Sequence, residues 1–188
     1  MAKPPRIAPV DVAAAPPEVR EVLSALPVQL NIFRMMAHAP TSLRPLLALG
    51  TSILAEQQLD PELREYAVLL AAKAFGGDYE WVQHVPIAAA CGADPAQLAA
   101  IEQGQLDAAC FDEREKAFLA FVQESATDVR CSDQAFAEAR RHFSDRELVE
   151  TILTIGFYQM LARLTECTDT PLDAPAGQRV LDALKSSR

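Results

Sequence analysis

Nowhere in this chain do four to eight β-branched or aromatic residues alternate with polar ones, as a half-buried strand requires; apolar residues recur at helical spacing from end to end. That pattern excludes sheet-based folds and predicts an all-α one. Helix-start chemistry divides it into segments: Pro16-Pro17 before EVREVLSAL, Thr41 before SLRPLLALGTSILAEQ, Asp60-Pro61 before ELREYAVLLAAKAF, and Asp94-Pro95 before AQLAAI. Asp112 with Glu115 and Ser144 with Glu147 have capping-box spacing, in which each partner satisfies an orphan amide. Gly76-Gly77 ends one helix and Asp78 is placed to cap the next, so residues 61 to about 91 are expected to form a helical hairpin with a very short turn.

The chain has 188 residues, enough for one compact domain or two small ones fused by duplication. Slid so that Asp60 falls on Asp145, DPELRE overlies DRELVE, and both stretches run into apolar helices. Duplication would make those helices pseudo-equivalent and pack them at the middle of the fold, with Gly156 allowing a close backbone approach. The expected organisation is an N-terminal arm over 1–16 and a single domain over 17–164, with its core hairpin at 59–104 and its second half at 112–164. A C-terminal arm over 165–188 follows, whose AGQRVLDALKSSR could add a short helix against the domain or a neighbouring subunit.

A net charge of −9 disfavours nucleic acid and anionic membrane surfaces as partners. The apolar runs YAVLLAAKAF and TILTIGFYQMLARL fall short of the ~20 residues that cross a bilayer. MAKPPRIAPV has no apolar signal region, and Cys91, Cys110, Cys131 and Cys167 match neither a CxxC pair nor a zinc set. A cytoplasmic protein with reduced thiols is the expectation.

His84 occupies the most polar place of the otherwise apolar hairpin. Glu80 precedes it by one helical turn and shares its face. Counted from the turn, Glu65 on the preceding helix is offset from His84 by only ~6 Å along the axis, a gap a glutamate can span. A histidine bracketed by carboxylates keeps one tautomer and can exchange a proton near neutral pH, so His84, Glu65 and Glu80 are the candidate catalytic residues. The plainer reading is a structural ion pair, and one histidine with two carboxylates is too sparse a set to predict a metal. Tyr79, Trp81, Arg34 and Tyr158 are candidate substrate-binding residues: Tyr79 and Trp81 as pocket walls, Arg34 as a bidentate anchor for a substrate carboxylate, and Tyr158 through a buried hydroxyl whose partner is either a ligand or a core carbonyl. Cys91, about two turns beyond His84, lies ~10 Å along the axis and out of direct hydrogen-bonding reach.

The run LDPELREYAVLLAAKAFGGDYEWVQHVPIAAACGADPAQLAAIEQG resembles the carboxymuconolactone decarboxylase family, which includes the alkylhydroperoxidase D-like proteins. The resemblance rests on Arg64-Glu65, Tyr79-Glu80-Trp81, His84 and Cys91-Gly92-Ala93-Asp94; NIFRMMAHAP and SDRELVETILTIGFYQMLARL look like the flanks of its longer members. It implies an alkylhydroperoxidase D-like helical bundle assembled as a trimer or hexamer. Peroxide-reducing members carry a Cys-x2-Cys-x3-His motif with an upstream glutamate that would fall on Glu65. With the histidine on His84, the two thiol positions fall on Gly77 and Glu80, so a dithiol cycle cannot run there. The resemblance therefore implies the decarboxylase-type branch: a cofactor-free and metal-free acid/base enzyme acting on a small carboxylated or lactone compound. The alternatives are a peroxide-reducing antioxidant protein using a non-motif cysteine such as Cys91, and a non-catalytic oligomeric scaffold.

Overall fold

The computed structural model describes residues 4–186, and among them it is all-helical. Ten helices follow one another: α1 (Pro17–Ser24), α2 (Asn31–Met36), α3 (Pro40–Ala55), α4 (Pro61–Phe75), α5 (Asp78–Cys91), α6 (Pro95–Gln103), α7 (Glu113–Asp128), α8 (Asp133–Ala139), α9 (Asp145–Thr168) and α10 (Gly177–Ser186). Among the described residues no helix is long and apolar enough to cross a membrane.

Local chemistry explains most of the boundaries. Asp60 caps α4 through the Glu62 amide and Pro61 occupies its first turn. The capping boxes at Asp112/Glu115 and Ser144/Glu147 start α7 and α9, and a further box, Asp94 with Gln97, starts α6. Gly76 takes the left-handed conformation that ends α4. Two expected starts differ. Gly77 rather than Asp78 is the N-cap residue of α5, with Asp78 already in its first turn, and α3 begins at Pro40, one residue before Thr41. In both, the helical φ that proline or a tight glycine turn imposes sets the start, without a side-chain cap.

α4 is the central helix. It packs against α5 in the expected hairpin and also against α6, α7 and α9. Every residue from Leu63 to Ala72 is buried, because neighbours cover all its sides. The two apolar helices of the sequence comparison, α4 and α9, do pack together, but Gly156 is not their point of approach: a Cβ there would meet nothing. The glycines that approach α9 closely lie outside α4: Gly77 in the α4–α5 turn, where a Cβ would lie 2.9 Å from the Ala162 Cβ, and Gly50 of α3, where it would lie 3.2 Å from the Phe157 ring.

The C-terminal segment is built in. α9 continues to Thr168, so any arm starts later than residue 165, and α10 lies on α5 and α3 of the same chain. Asp173 accepts from the Asn31 backbone amide at 2.6 Å and from the Tyr79 hydroxyl. The Gln83 amide is fully spent on this segment: its nitrogen donates to the Asp173 and Ala174 carbonyls, and its oxygen accepts from the Ala176 and Gly177 amides. At the other end of the chain, Arg6 pairs with Asp169 at 2.9 Å, holding the N-terminal arm against the end of α9.

Candidate active site

The hairpin brings Glu65 of α4 and His84 of α5 together, as counting from the turn predicts. His84 Nδ1 lies 2.7 Å from Glu65 Oε2, and Glu65 is wholly inaccessible. The other carboxylate oxygen, Oε1, accepts from Arg64 Nε at 2.9 Å, and Arg64 also donates to the Leu54 carbonyl at 2.9 Å. Burial alone would raise the Glu65 pKa. The charge and hydrogen bond of His84, then those of Arg64, outweigh it and hold the carboxyl below its ordinary value. An ionised Glu65 accepts from Nδ1–H whether the ring is charged or neutral, and in the neutral ring that bond selects the Nδ1–H tautomer and leaves the Nε2 lone pair free. Among the described residues Nε2 has no protein partner, and His84 lines a cavity.

That cavity, about 150 Å³, lies between α2, α3, α5, α9 and α10. Its walls are mostly aliphatic and aromatic, with Phe33, Met36, Leu47 and Phe157 among them, and Gly177 and Val180 of α10 close one side. Polar groups converge from α5 and α9. Glu80 is 2% exposed, and its carboxyl meets its own backbone amide and, at a long 3.4 Å, the Thr165 hydroxyl. Desolvation raises its pKa, so burial biases Glu80 toward the protonated form. Tyr158 stacks edge-on against His84, with centroids 4.7 Å apart and planes at 82°. Its burial, followed by the Glu65 charge, pushes the phenol well up, so it remains a neutral donor. Its hydroxyl makes no protein hydrogen bond among the described residues.

Not every candidate reaches this place. Tyr79 lines the cavity, but its hydroxyl is taken by Asp173 and by the Ile32 amide at 3.3 Å, so only its ring faces inward. Arg34 is absent from the described lining: Nε donates to the Val10 carbonyl at 2.8 Å and NH1 to Asn31 Oδ1 at 3.1 Å. The carboxylate anchor expected of Arg34 therefore has no place here, because its guanidinium holds the N-terminal arm. Trp81 is also outside the lining; it packs on the core with Lys73 5.8 Å over its ring. Cys91 is half-buried with its sulfur 3.9 Å from Arg64 NH2, and no cysteine is among the described lining residues. Among the described residues no group of three or more histidine, cysteine, aspartate or glutamate side chains could hold a metal.

Three participants carry little signal in the sequence. Arg64 is visible only as the basic neighbour of Glu65, and helical spacing gives no reason for adjacent residues to pair; they do so because both side chains bend toward α5. Gln83 stands next to His84 on the same apolar helix, an unusual polar doublet. Thr165 lies far along the chain and meets Glu80 only through the packing of α9 on α5.

The two positions onto which the resemblance would place the thiols of a peroxidase motif, Gly77 and Glu80, differ sterically. A Cβ at Gly77 would stand 2.7 Å from Glu80 Oε2 and 2.9 Å from the Ala162 Cβ, so this backbone has no room for a side chain there. Glu80 occupies the other position with a buried carboxyl.

Several solved structures share this fold. The debrominase Bmp8, crystallised with 2,3,4-tribromopyrrole, is 22% identical with a TM-score of 0.73, covering 95% of this chain and 96% of its own. A peroxidase-related protein from Ralstonia eutropha, described as an alkylhydroperoxidase AhpD core, is 22% identical with a TM-score of 0.76, covering 96% and 97%. A peroxidase-related protein from Silicibacter sp. is 20% identical with a TM-score of 0.76, covering 93% and 96%. At these identities the likeness establishes the fold. No curated protein matches the chain significantly. The family model that matches, carboxymuconolactone decarboxylase, spans residues 40–124 and so takes in Arg64, Glu65, Glu80 and His84 but not Tyr158. Residues 40–124 of this chain thus match the carboxymuconolactone decarboxylase family model, within a chain whose fold is AhpD-like and all-helical.

Proposed function

We propose that this protein is an acid/base enzyme that moves a proton on a small carbonyl compound using its own side chains, with His84 as base and Glu80 as acid. The observation that carries the reading is the 2.7 Å contact between His84 Nδ1 and the buried Glu65 carboxylate, which leaves Nε2 open to the cavity. Glu80 faces the same space with its pKa raised by burial, so a base and a group biased toward its acid form share one site.

The step balances without a redox partner. His84 Nε2 takes the proton from carbon beside the carbonyl, and the C–H electron pair becomes a C=C bond. The carbonyl π pair moves onto oxygen, which takes the Glu80 proton, giving the enol. In a decarboxylation the bond to a carboxylate supplies that pair instead, and carbon dioxide leaves. Bmp8, seen with a small halogenated ring, supports the idea that a protein of this fold can handle compounds of that size. Peroxide reduction through Cys91 has less to rest on, since no thiol lines the described cavity.

The test is a panel of small ketones and lactones in deuterium oxide, with α-deuteration followed by NMR, beside β-keto acids with carbon dioxide release. The proposal expects exchange or release by the wild type that survives thiol alkylation. His84→Gln should abolish it, and Glu80→Gln should slow it by roughly 10²-fold. No enzyme-dependent exchange or release on any compound would sink the proposal.

A further inference from the structure

The sequence led to the expectation of a carboxylated substrate anchored by Arg34, and the cavity offers no such anchor. No lysine or arginine is among its described lining residues. Arg34 is committed to Val10 and Asn31, and Arg64 to Glu65 and the Leu54 carbonyl behind the site. The ionised Glu65 carboxylate stands directly behind the His84 ring, and Glu80 contributes a second carboxyl. A carboxylate entering this space would leave water with no lysine or arginine to meet it and with the ionised Glu65 already paired to the one imidazole of the lining, a cost that selects against it.

The polar atoms with unused capacity define what would be welcomed. Tyr79 and Gln83 line the cavity but are spent on Asp173, Ile32 and the 173–177 backbone. Three groups remain: the Tyr158 hydroxyl, 97% buried by residue and without a protein partner among the described residues; the Glu80 carboxyl, which meets its own backbone amide and, at 3.4 Å, Thr165, and keeps acceptor or donor capacity toward the cavity; and His84 Nε2. With Glu80 in the protonated form that its burial favours, two donors and one acceptor match one carbonyl oxygen and one acidic C–H. The rest of the lining is apolar, and a cavity near 150 Å³ is of the size that takes a single six-membered ring.

We infer that the cavity selects a neutral, single-ring carbonyl compound, its oxygen held by the Tyr158 hydroxyl and the Glu80 carboxyl, and excludes carboxylates of the same size. Tyr158 thereby becomes the donor that steadies the oxygen as negative charge develops on it, a role that no residue of the family-matched segment fills. The inference rests on the acid/base reading for the chemistry, and on cavity shape and unused donors for the binding.

Cyclohexanone and cyclobutanecarboxylate have the same number of non-hydrogen atoms and differ in charge. Ligand-observed NMR titration of the full chain with each, at neutral pH, separates the two classes. The expected result is cyclohexanone binding at least about tenfold tighter than the carboxylate, a preference reduced about tenfold by Tyr158→Phe, the cost of one lost hydrogen bond. His84→Gln should keep cyclohexanone binding while losing its α-deuteration. Carboxylate binding equal to or tighter than cyclohexanone, no detectable binding of cyclohexanone, or an unchanged preference in Tyr158→Phe each overturns the inference. Cyclohexanone bound but not deuterated counts against acid/base catalysis and leaves the binding class standing. Turnover confined to carboxylated compounds does the reverse.

Discussion

Glu65 joins two tasks that pull in opposite directions. Its complete burial penalises the charge, and the His84 and Arg64 contacts restore it, so the carboxylate is ionised only while both partners are in place. Replacing it with glutamine leaves a buried guanidinium unbalanced. Glu65→Gln is therefore expected to destabilise the protein by about 3 kcal/mol, read as a shift in the urea midpoint. Because the folded pKa lies below the ordinary 4.5, the Glu65 contribution is present above that value and lost as pH falls through the folded pKa; in Glu65→Gln that acid-side dependence should be weaker. Glu80 has the opposite sign. Its folded pKa is raised by desolvation, so its contribution is full below 4.5 and lost as pH rises through the folded value. Glu80→Gln should accordingly raise the melting temperature by a few degrees at neutral pH and make no such gain at pH 4, while losing the proton donor. Stability and activity are expected to move in opposite directions at this position, as they do where a site stores an uncompensated group.

At the scale of elements, the α4–α5 turn and its contact with α9 set the site. Gly77 is needed there for space, since its φ of −78° is open to any residue and its Cβ position is not. Gly77→Ala should cost about 1–3 kcal/mol by pushing Glu80 and Ala162 away, measured calorimetrically as a lowered melting temperature. The C-terminal segment forms a second device. Asp173 and Gln83 hold residues 171–177 to α2 and α5, and this places Gly177 and Val180 of α10 on the cavity. Asp173→Ala should loosen that end selectively: amide exchange over residues 177–183 is expected to speed up roughly tenfold or more, with α4 amides unchanged. The hairpin, its glycine stop and the capping boxes are readable in the sequence because each depends on residues one to four positions apart. The fate of the Tyr79 hydroxyl is not readable there, for the opposite reason. Its partner Asp173 lies far along the chain, and only tertiary packing shows that the hydroxyl is already spent.

For the whole molecule, one distance in sequence translated directly into one in space: a short turn makes the offset between Glu65 and His84 a matter of counting. The remaining site needed the full bundle. α9 brings Tyr158 and Thr165 to α5, α3 brings the Leu54 carbonyl to Arg64, and the N-terminal arm takes Arg34 away from the cavity. None of these follows from periodicity, because an amphipathic pattern tells which face is buried and not which helix covers it. The match between repeated helix starts likewise points to two helices that do pack together, but not to Gly77 and Gly50, the glycines of the α4–α5 turn and α3 that approach α9. What unites the three scales is a single protonation state: a buried carboxylate, kept ionised by its neighbours, orienting one imidazole toward an apolar cavity. Nitrogen-15 NMR of histidine-labelled protein at neutral pH tests it most directly. His84 should show a protonated Nδ1 and an unprotonated Nε2, and Glu65→Gln should lose that preference. An Nε2–H tautomer in the wild type, or the same nitrogen shifts in Glu65→Gln, would contradict the account.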